Sequence, residues 1–283
     1  MMTGVNRQVV VLGARGMLGT DLVAQLCQNH IRHLALDLPE FDITNTQQLK
    51  AAVASADTII NCAAYTNVDK AESEPDLAYS VNAEAVGQLG RFAADSGANV
   101  LHISTDFVFD GKSGRPYIEA DPANPINTYG KTKLAGEKLL AKSGCRFCII
   151  RVEWTYGQAG TNFIKKLIQR SRSGEPLRVV EDQVGSPTAT VEAAKAICNL
   201  LPKMPEGIFH FASAGYVSRY EMARFIFDKL GTGVDLTPCK SSDFQTPAGR
   251  PLNSRFNCSK IEKFLDEPIR PWKEPLEHFL EQL

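Results

Sequence analysis

The chain has 283 residues, of which 43% are hydrophobic and 22% are charged, and its formal net charge is −1. At about 150 residues per domain, this length predicts one or two domains with a full core, and the composition excludes disordered, collagen-like and coiled-coil proteins. The near-zero net charge provides no basic field that would attract nucleic acid or an anionic membrane. We therefore expect no nucleic-acid partner and no membrane partner.

Targeting signals and metal-ligand patterns are not found in the sequence. The apolar run near the N-terminus, residues 9–13, is far shorter than a signal-peptide core or a membrane-spanning helix. A cytoplasmic location is therefore the expectation. The seven cysteines are scattered, Cys145 and Cys148 lead into a predicted strand, and the five histidines form no ligand motif. We expect reduced thiols and no protein-built metal site.

Strand-like and helix-like segments alternate along the first half of the chain. The predicted strands are residues 8–12, 33–37, 58–62, 99–104 and 147–152, and the predicted helices are residues 17–29, 77–96 and 129–143. The strands are short, apolar and free of hairpin signals, which is typical of buried parallel strands. The fold class that follows is α/β, with a doubly wound parallel sheet of the Rossmann type.

The alternation loosens after about residue 153. Helices are predicted at residues 162–173, 191–201 and 218–230, with a strand at 207–211 and a proline-rich tail. This half is interpreted as a smaller α/β substrate lobe. The predicted domains are a dinucleotide-binding domain, residues 1–153, to which residues 182–203 return, and a mainly substrate-binding lobe, residues 154–283.

A glycine-rich loop lies between the first predicted strand and the first predicted helix. Gly13, Gly16 and Gly19 are spaced three residues apart, and Met17 and Leu18 open the helix. Glycines allow the backbone to turn tightly and to approach a pyrophosphate, while the helix N-terminus offers unpaired N–H groups and a positive dipole. In this position between strand and helix, the motif predicts dinucleotide binding.

The residues that would select between NADH and NADPH give opposite indications. Asp37 ends the second predicted strand, 18 residues after Gly19, where a carboxylate binds the adenosine ribose and repels a 2′-phosphate. Arg15 and Arg32 favour the phosphate, because a guanidinium pairs with it. Arg15 as a solvated loop residue is the alternative, so the predicted cofactor is NADPH or NADH.

A tyrosine and a lysine stand four residues apart on a predicted helix. Tyr129 and Lys133 therefore share one helix face. A lysine cation near a phenol lowers the pKa of the phenol toward neutrality, which would make Tyr129 an acid and base at working pH. Such pairs also occur by chance on exposed helix faces, and it is the glycine loop upstream that favours the catalytic interpretation.

Two hydroxyl side chains, Ser104 and Thr105, end the fourth predicted strand. Ligands of open α/β sheets bind beyond the carboxyl ends of the strands, so either hydroxyl is placed to hydrogen-bond a substrate carbonyl. Spacing alone does not separate the two.

Glycine loop, strand-end hydroxyl and the Tyr-x-x-x-Lys pair together resemble the extended short-chain dehydrogenase/reductases. Within that group the chain is similar to the dTDP-4-dehydrorhamnose reductase family. The segments that carry the closer resemblance are residues 38–44, 61–72, 81–83, 104–111, 129–137, 182–188 and 250–255. The match thus runs almost from end to end.

The resemblance implies a role for individual residues. Tyr129 becomes the proton donor, Lys133 its partner and a ligand of the nicotinamide ribose, and Thr105, rather than Ser104, the hydroxyl on the substrate carbonyl. Further cofactor contacts are implied for Asp42, Ile43, Ala63, Ala64, Tyr65 and Asn82. Sugar contacts are implied for Val68, Thr105, Asp106 and Trp154, although Trp154 could instead fill the seam between the lobes.

The substrate's pyrophosphate requires cations and hydrogen-bond donors from the second lobe. The candidates are Asn162, Lys166, Arg250, Asn253 and Arg255, each of which could equally pair with a nearby carboxylate.

The reaction implied is reduction of the C4 ketone of dTDP-4-dehydro-L-rhamnose, a nucleotide sugar. Another nucleotide-sugar 4-ketoreductase or an epimerase is an alternative, but related dehydratases carry Asp-Glu where this chain has Asp106-Phe107. A non-catalytic regulatory subunit, similar to the β subunit of methionine adenosyltransferase, is a second alternative. Some family members are homodimers held by magnesium, and the resemblance therefore implies a homodimer as one state that this chain could adopt. No magnesium ligands are assigned.

Overall fold

The computed structural model describes residues 8–283 of the chain. The strands are β1 (Gln8–Leu12), β2 (His33–Leu36), β3 (Ala56–Asn61), β4 (Asn99–Thr105), β5 (Phe147–Val152), β6 (Thr155–Tyr156), β7 (Leu177–Val180), β8 (Val184–Gly185), β9 (Thr188–Ala189), β10 (Gly207–Phe211), β11 (Val217–Ser218) and β12 (Leu236–Cys239). The α-helices are α1 (Met17–Gln28), α2 (Thr46–Ala54), α3 (Pro75–Tyr79), α4 (Ala85–Ser96), α5 (Thr128–Ala141), α6 (Phe163–Ser171), α7 (Thr190–Leu200), α8 (Arg219–Leu230), α9 (Ser259–Glu262) and α10 (Lys273–Glu281).

Six strands form one parallel sheet in the order β10-β5-β4-β3-β1-β2. The chain enters the sheet at β1, moves to the edge strand β2, and then returns across β1 to β3, β4 and β5. This reversal of strand order next to β1 creates the crevice in which doubly wound sheets bind their ligands. The predicted Rossmann sheet is confirmed.

Side chains alternate between the two faces of the sheet along each strand, and both faces are buried. Val11, Ile60 and Leu101 belong to the core beneath α1 and α7. Val10 and Ile59 point the other way, into the core beneath α2 and α4. The continuous apolar runs in the sequence therefore reflect strands that are covered on both sides.

The helix predicted over residues 77–96 is interrupted in the structure. A π-helical segment, Ser80–Glu84, separates α3 from α4 and carries the buried side chain of Asn82. Such π segments are local irregularities that periodicity does not reveal, and they occur frequently at functional sites.

The second half of the chain contributes to both lobes. Helix α7 packs on α1 in the core under the main sheet. Strand β10, which the sequence assigns to the smaller lobe, is instead the edge strand of the main sheet, parallel to β5. A short apolar strand pattern predicts burial but does not identify its neighbour.

The remaining elements pack around a separate core that includes Ile164, Leu177, Ile226 and Leu276. Three small two-stranded sheets join β11 to β8, β12 to β7 and β6 to β9. The residue bounds of the two lobes stay a prediction.

All seven cysteines are free thiols, and four of them, Cys145, Cys148, Cys198 and Cys239, are buried. No helix within residues 8–283 combines the length and the apolar character needed to cross a membrane.

Candidate active site

A cavity of about 620 Å³ opens at the carboxyl ends of the central strands, as expected for a doubly wound sheet. It brings together most of the residues that the sequence predicts for the cofactor and for catalysis. Those that line it are Gly13, Gly16, Met17, Leu18, Gly19, Asp37, Asp42, Ile43, Ala63, Ala64, Val68, Thr105, Asp106, Tyr129, Lys133, Trp154 and Asn162.

The glycine loop is shaped for close approach of the backbone. Gly13 has φ +75°, and a Cβ there would lie 2.5 Å from the backbone nitrogen of Ala63. A Cβ on Gly19 would lie 2.0 Å from the carbonyl oxygen of Gly13. Side chains at these positions would therefore separate α1 from the sheet and fill the space beside it.

The N-terminus of α1 faces this cavity through Gly16, Met17 and Leu18. Gly16 is the N-cap residue and makes no side-chain capping bond, so the first amides of the helix are left for another acceptor. Together with the positive end of the helix dipole, they suit an anion such as a dinucleotide pyrophosphate. The residues present thus fit the cofactor that the sequence predicts.

Asp37 binds the backbone of the glycine loop. Its carboxylate accepts from the amide of Arg15 at 2.6 Å and from that of Leu38 at 2.7 Å. The Arg15 side chain bends away and pairs with Glu40 at 2.8 Å, with both side chains more than 60% exposed. Because the pair is solvated, it is weak, and the guanidinium is free to exchange Glu40 for another anion.

Ser104 and Thr105 belong to different environments. Ser104 donates to Glu137, which also receives a two-pronged ion pair from Arg151 at 2.6 and 2.9 Å. Thr105 donates to Asp106 at 3.0 Å and accepts from the amide of Phe107. Both residues line the cavity, but the Ser104 hydroxyl is committed to a buried ion pair, whereas the Thr105 hydroxyl donates only to its neighbour Asp106.

Tyr129 and Lys133 both line the cavity on one face of α5. Burial raises the pKa of Tyr129 to about 12, with the nearby Thr105 hydroxyl opposing the shift. The sequence predicts that Lys133 lowers this pKa, but the Lys133 Nζ points to the carbonyl oxygen of Ile103, 2.7 Å away. The lysine charge is therefore directed at the strand rather than at the phenol in this structure.

Lys133 also faces a buried histidine. Asn61 accepts from the amide of Ala63, so its side-chain nitrogen donates to Nδ1 of His102 at 3.1 Å. The imidazole hydrogen must then reside on Nε2, which lies 3.3 Å from the Lys133 Nζ. An N–H group facing an ammonium lacks an acceptor, and burial independently lowers the pKa of Lys133 to about 8. Both effects lower the pKa of Lys133, so the ammonium persists only below about pH 8.

A second cavity of about 930 Å³ adjoins the first and extends between α6, α8 and the 241–250 segment. The two share Thr66, Val68, Phe107, Trp154 and Arg219 among their lining residues. Trp154 has φ +46°, and its ring packs so closely on Gly185 that a Cβ there would lie 2.6 Å away. The glycine in the 182–188 segment therefore makes room for the tryptophan.

Arg219 is a site residue that the sequence analysis missed. Its guanidinium carbon lies 3.5 Å from the Trp154 ring centroid and 4.7 Å from that of Phe163. Burial lowers the pKa of Arg219 to about 9, against the opposing charges of Asp106 and Glu153. Arg219 begins α8 directly after its N-cap Ser218, and nothing in that helix pattern indicates that the first side chain turns into a cavity.

Several residues predicted to bind the substrate have side chains that already pair or hydrogen-bond with other residues of the protein. Arg250 lines the second cavity but forms a two-pronged ion pair with Asp69 at 2.7 Å. Asn162 caps α6 by accepting from Lys165, and it donates to Gly157.

Asn253 and Arg255 bind the 113–115 loop, whereas Lys166 lines the second cavity. The same type of polar side chain can cap a helix, hold a loop or bind a ligand. Only the fold shows which of these roles a given residue has.

Three predicted cofactor residues, Arg15, Tyr65 and Asn82, lie outside the lining of the first cavity. Asn82 holds the backbone of Tyr65 with two hydrogen bonds and donates to Thr132, while the Tyr65 hydroxyl donates to Glu74. These contacts hold in place the loop that carries Ala63 and Ala64. Asn82 therefore supports the cavity wall from behind.

A parallel sheet with a glycine loop at β1, a hydroxyl at the end of β4 and a Tyr-x-x-x-Lys pair on the next helix defines an extended short-chain dehydrogenase/reductase. The chain belongs to the family described as the RmlD substrate binding domain, whose model matches residues 7–283.

Three relatives illustrate the match. The dTDP-4-dehydrorhamnose reductase of Mycolicibacterium smegmatis is 37% identical, over 96% of this chain and 84% of that protein. The dTDP-4-keto-6-deoxy-D-glucose reductase of Streptomyces niveus is 38% identical, over 93% of each. The crystal structure of dTDP-4-dehydrorhamnose reductase from Bacillus anthracis in complex with NADP is 34% identical, has a TM-score of 0.93, and covers 98% of this chain and 100% of that one.

Proposed function

We propose that this chain reduces the C4 ketone of dTDP-4-dehydro-L-rhamnose to dTDP-L-rhamnose with NADPH or NADH. One observation carries the proposal: Thr105, Tyr129 and Lys133 line the same cavity as the glycine loop, and that cavity adjoins a second one large enough for a nucleotide sugar. The match to reductases of this name over more than nine-tenths of the chain supports the same reaction.

The first cavity provides the groups that would hold the dinucleotide. The glycine loop and the first amides of α1 would bind its pyrophosphate, and Asp37, Asp42 and Ile43 would lie at the adenosine end. Ala63 and Ala64 would line its path toward Lys133, whose ammonium would bind the nicotinamide ribose. When bound, the reduced dinucleotide supplies a hydride to the carbonyl carbon.

The protein's own residues would manage the charge that develops on the carbonyl oxygen. Thr105 has a single hydrogen, now donated to Asp106, so it must turn that hydrogen toward the substrate to bind the oxygen. Tyr129 would donate its proton to the same oxygen. The high pKa of the phenol, about 12, suits this direction, because an alkoxide is the stronger base and takes the proton readily.

The sugar would lie where the two cavities meet. Val68 and Trp154 line both cavities, Asp106 lines the first, and all three would contact the ring. Lys166 would face the nucleotide part in the second cavity, whereas Arg250 and Asn162 would act mainly through their existing contacts with Asp69 and Gly157.

The charges of Asp37 and Arg15 support the proposal that the chain uses both NADPH and NADH. The NADP bound to the Bacillus anthracis enzyme favours NADPH, and an exposed Arg15 could approach a 2′-phosphate by releasing Glu40. Asp37 keeps a carboxylate in the cavity, which is compatible with the ribose hydroxyls of NADH.

A second candidate is a 4-ketoreductase of different stereochemistry, which the Streptomyces niveus relative brings into consideration. The ring orientation, and therefore the face that receives hydride, decides between the two products. Identification of the product by NMR distinguishes them. Dehydration is not favoured, because the residue after Asp106 is Phe107, and a phenyl ring removes no proton.

The test is the substitution Tyr129→Phe. We expect turnover to fall by about 100-fold to 10,000-fold, because the ring remains and only the proton donor is lost. Affinity for NADPH should be nearly unchanged. The unmodified chain should consume NADPH on addition of dTDP-4-dehydro-L-rhamnose, and cofactor binding without consumption would instead identify a regulatory subunit. A Tyr129→Phe enzyme with full activity would exclude the assigned proton donor.

A cytoplasmic location, a homodimer and the division into residues 1–153 with 182–203 and residues 154–283 complete the proposal. Fractionation of the source cells, sedimentation velocity and limited proteolysis, respectively, test these three statements.

A further inference from the structure

The second cavity contains three cations, but only one of them is positioned without an anionic partner at the junction with the first cavity. Arg250 is already bound by both oxygens of Asp69. Lys166 lines the second cavity but not the first. Arg219 lines both cavities, and within residues 8–283 its guanidinium makes no ion pair and donates no hydrogen bond to another residue.

Aromatic rings hold the Arg219 side chain in place. Its guanidinium stacks on Trp154 at 3.5 Å and lies 4.7 Å from the Phe163 ring centroid. Stacking restrains the planar group while leaving its edge N–H donors available, and this reduces the entropy lost when a ligand binds. The backbone amide of Arg219 donates to Gln183 and fixes the start of the side chain.

The nearby carboxyls do not require Arg219 as a hydrogen-bond partner. Asp106 accepts from the hydroxyls of Thr105 and Ser254. Glu153 accepts from the amides of Ser186 and Phe256. The two carboxyls contribute long-range attraction, but each has its own donors, so the five guanidinium N–H groups await another acceptor.

We infer that Arg219 binds the sugar-linked phosphate of the substrate. This inference rests on the proposed function. In a nucleoside diphosphate sugar the diphosphate joins the sugar to the nucleoside, so it must pass between the carbonyl position at Thr105 and the nucleoside part of the second cavity. Arg219 lies at that passage, and a guanidinium binds two phosphate oxygens at once.

Nucleotides with and without the second phosphate isolate this contact. Affinities for dTDP and dTMP are measured by calorimetry for the unmodified chain and for Arg219→Gln, Arg219→Lys and Arg224→Gln. Arg224 is exposed on the same helix and serves as the matched loss of charge. NADPH affinity and thermal unfolding are measured in parallel.

We expect the unmodified chain to prefer dTDP over dTMP, and Arg219→Gln to weaken dTDP by roughly tenfold to a hundredfold while changing dTMP far less. Arg219→Lys should be intermediate, because an ammonium retains charge without the two-pronged geometry. Arg224→Gln should match the unmodified chain.

Two results overturn the inference: an unchanged dTDP-to-dTMP ratio in Arg219→Gln, or an equal loss of both nucleotides together with NADPH affinity and thermal stability, which would mean a structural role. Failure of the unmodified chain to bind dTDP would instead overturn the proposed function, and the two failures are distinct because this one needs no substitution.

Discussion

Two polar clusters flank the end of β4, and they differ in how completely their groups are paired. Ser104, Glu137, Arg151 and His210 form a closed network, in which cross-strand neighbours on β4, β5 and β10 meet a carboxylate from α5. Thr105, Asp106, Glu153 and Arg219 form an open cluster beside the cavities. Adjacent residues enter different clusters because side chains alternate along a strand.

The difference separates stability from chemistry. In the closed network the ion pair is about 97% buried on both sides, and each nitrogen and oxygen atom of the two charged groups has a partner. In the open cluster the Thr105 hydroxyl donates to Asp106 at 3.0 Å, and the Arg219 guanidinium has nearby carboxyls but makes no ion pair within residues 8–283, so these two groups can change partners when a ligand arrives. Polar groups that are fully satisfied hold the sheet together, and those that are not remain available to a ligand.

The largest effect is expected from removal of Glu137, which should break the closed network and lower the stability of the fold. We expect Glu137→Ala to lower the free energy of unfolding by about 3–5 kcal/mol, because Arg151 is left charged and buried. Urea unfolding measures this change. The double replacement Glu137→Met with Arg151→Met should recover much of the loss. A single variant within 1 kcal/mol of the unmodified chain would contradict the role assigned to the network.

Exchange of the neighbouring hydroxyls sharpens the comparison. Thr105→Val should reduce kcat by about 100-fold, since the carbonyl oxygen loses a donor as charge develops on it. Thr105→Ser retains the hydroxyl and should keep most of the activity. Ser104→Ala should destabilise the fold by about 1–3 kcal/mol and leave kcat within a few-fold, because its partner is Glu137. Equal kinetic effects of the two deletions would remove the distinction between the clusters.

The pH dependence tests Lys133, which lies on α5 four residues before Glu137. Its pKa is lowered to about 8, so the ammonium is present below that pH and is lost as the pH rises through it. We expect kcat/KM to fall above about pH 8. His102→Gln replaces the imidazole N–H with an amide oxygen that can accept from the ammonium, and the descending limb should move up by roughly one pH unit. An unchanged limb would show that His102 does not influence the lysine.

The smallest effect is expected at the adenosine end of the first cavity. Glu40→Gln removes the anion that occupies Arg15, so the ratio of kcat/KM for NADPH to that for NADH should rise about twofold to fivefold. Arg15→Gln combined with Glu40→Gln should abolish the gain. A ratio that is the same in all three proteins would exclude Arg15 as a phosphate ligand.

Much of the fold follows from local patterns. Short buried strands alternating with helices predict the sheet, and the strand-end rule places Gly13 and Thr105 at one edge of it. The resemblance adds the expectation that Thr105 rather than Ser104 binds the carbonyl, and the hydrogen bond from Ser104 to Glu137 supports that prediction. The position of β10 in the main sheet could not be predicted, because an apolar strand pattern contains no information on its neighbours.

Arg219, Arg250 and Asn162 show where sequence reasoning ended. All three are polar residues outside the first lobe, and each could be a ligand, a cap or half of an ion pair. Their use depends on contacts between residues far apart in the chain, such as Arg250 with Asp69, 181 positions away, or Arg219 with Trp154.

The sequence by itself determined the class of fold, the dinucleotide loop and the Tyr129–Lys133 pair, since these depend on spacing within a single strand, loop or helix. Only the tertiary structure decided which polar groups are already satisfied and which remain open to a ligand. Whether a polar group has a hydrogen-bond partner depends on all the neighbours that folding brings together. No local sequence pattern predicts it.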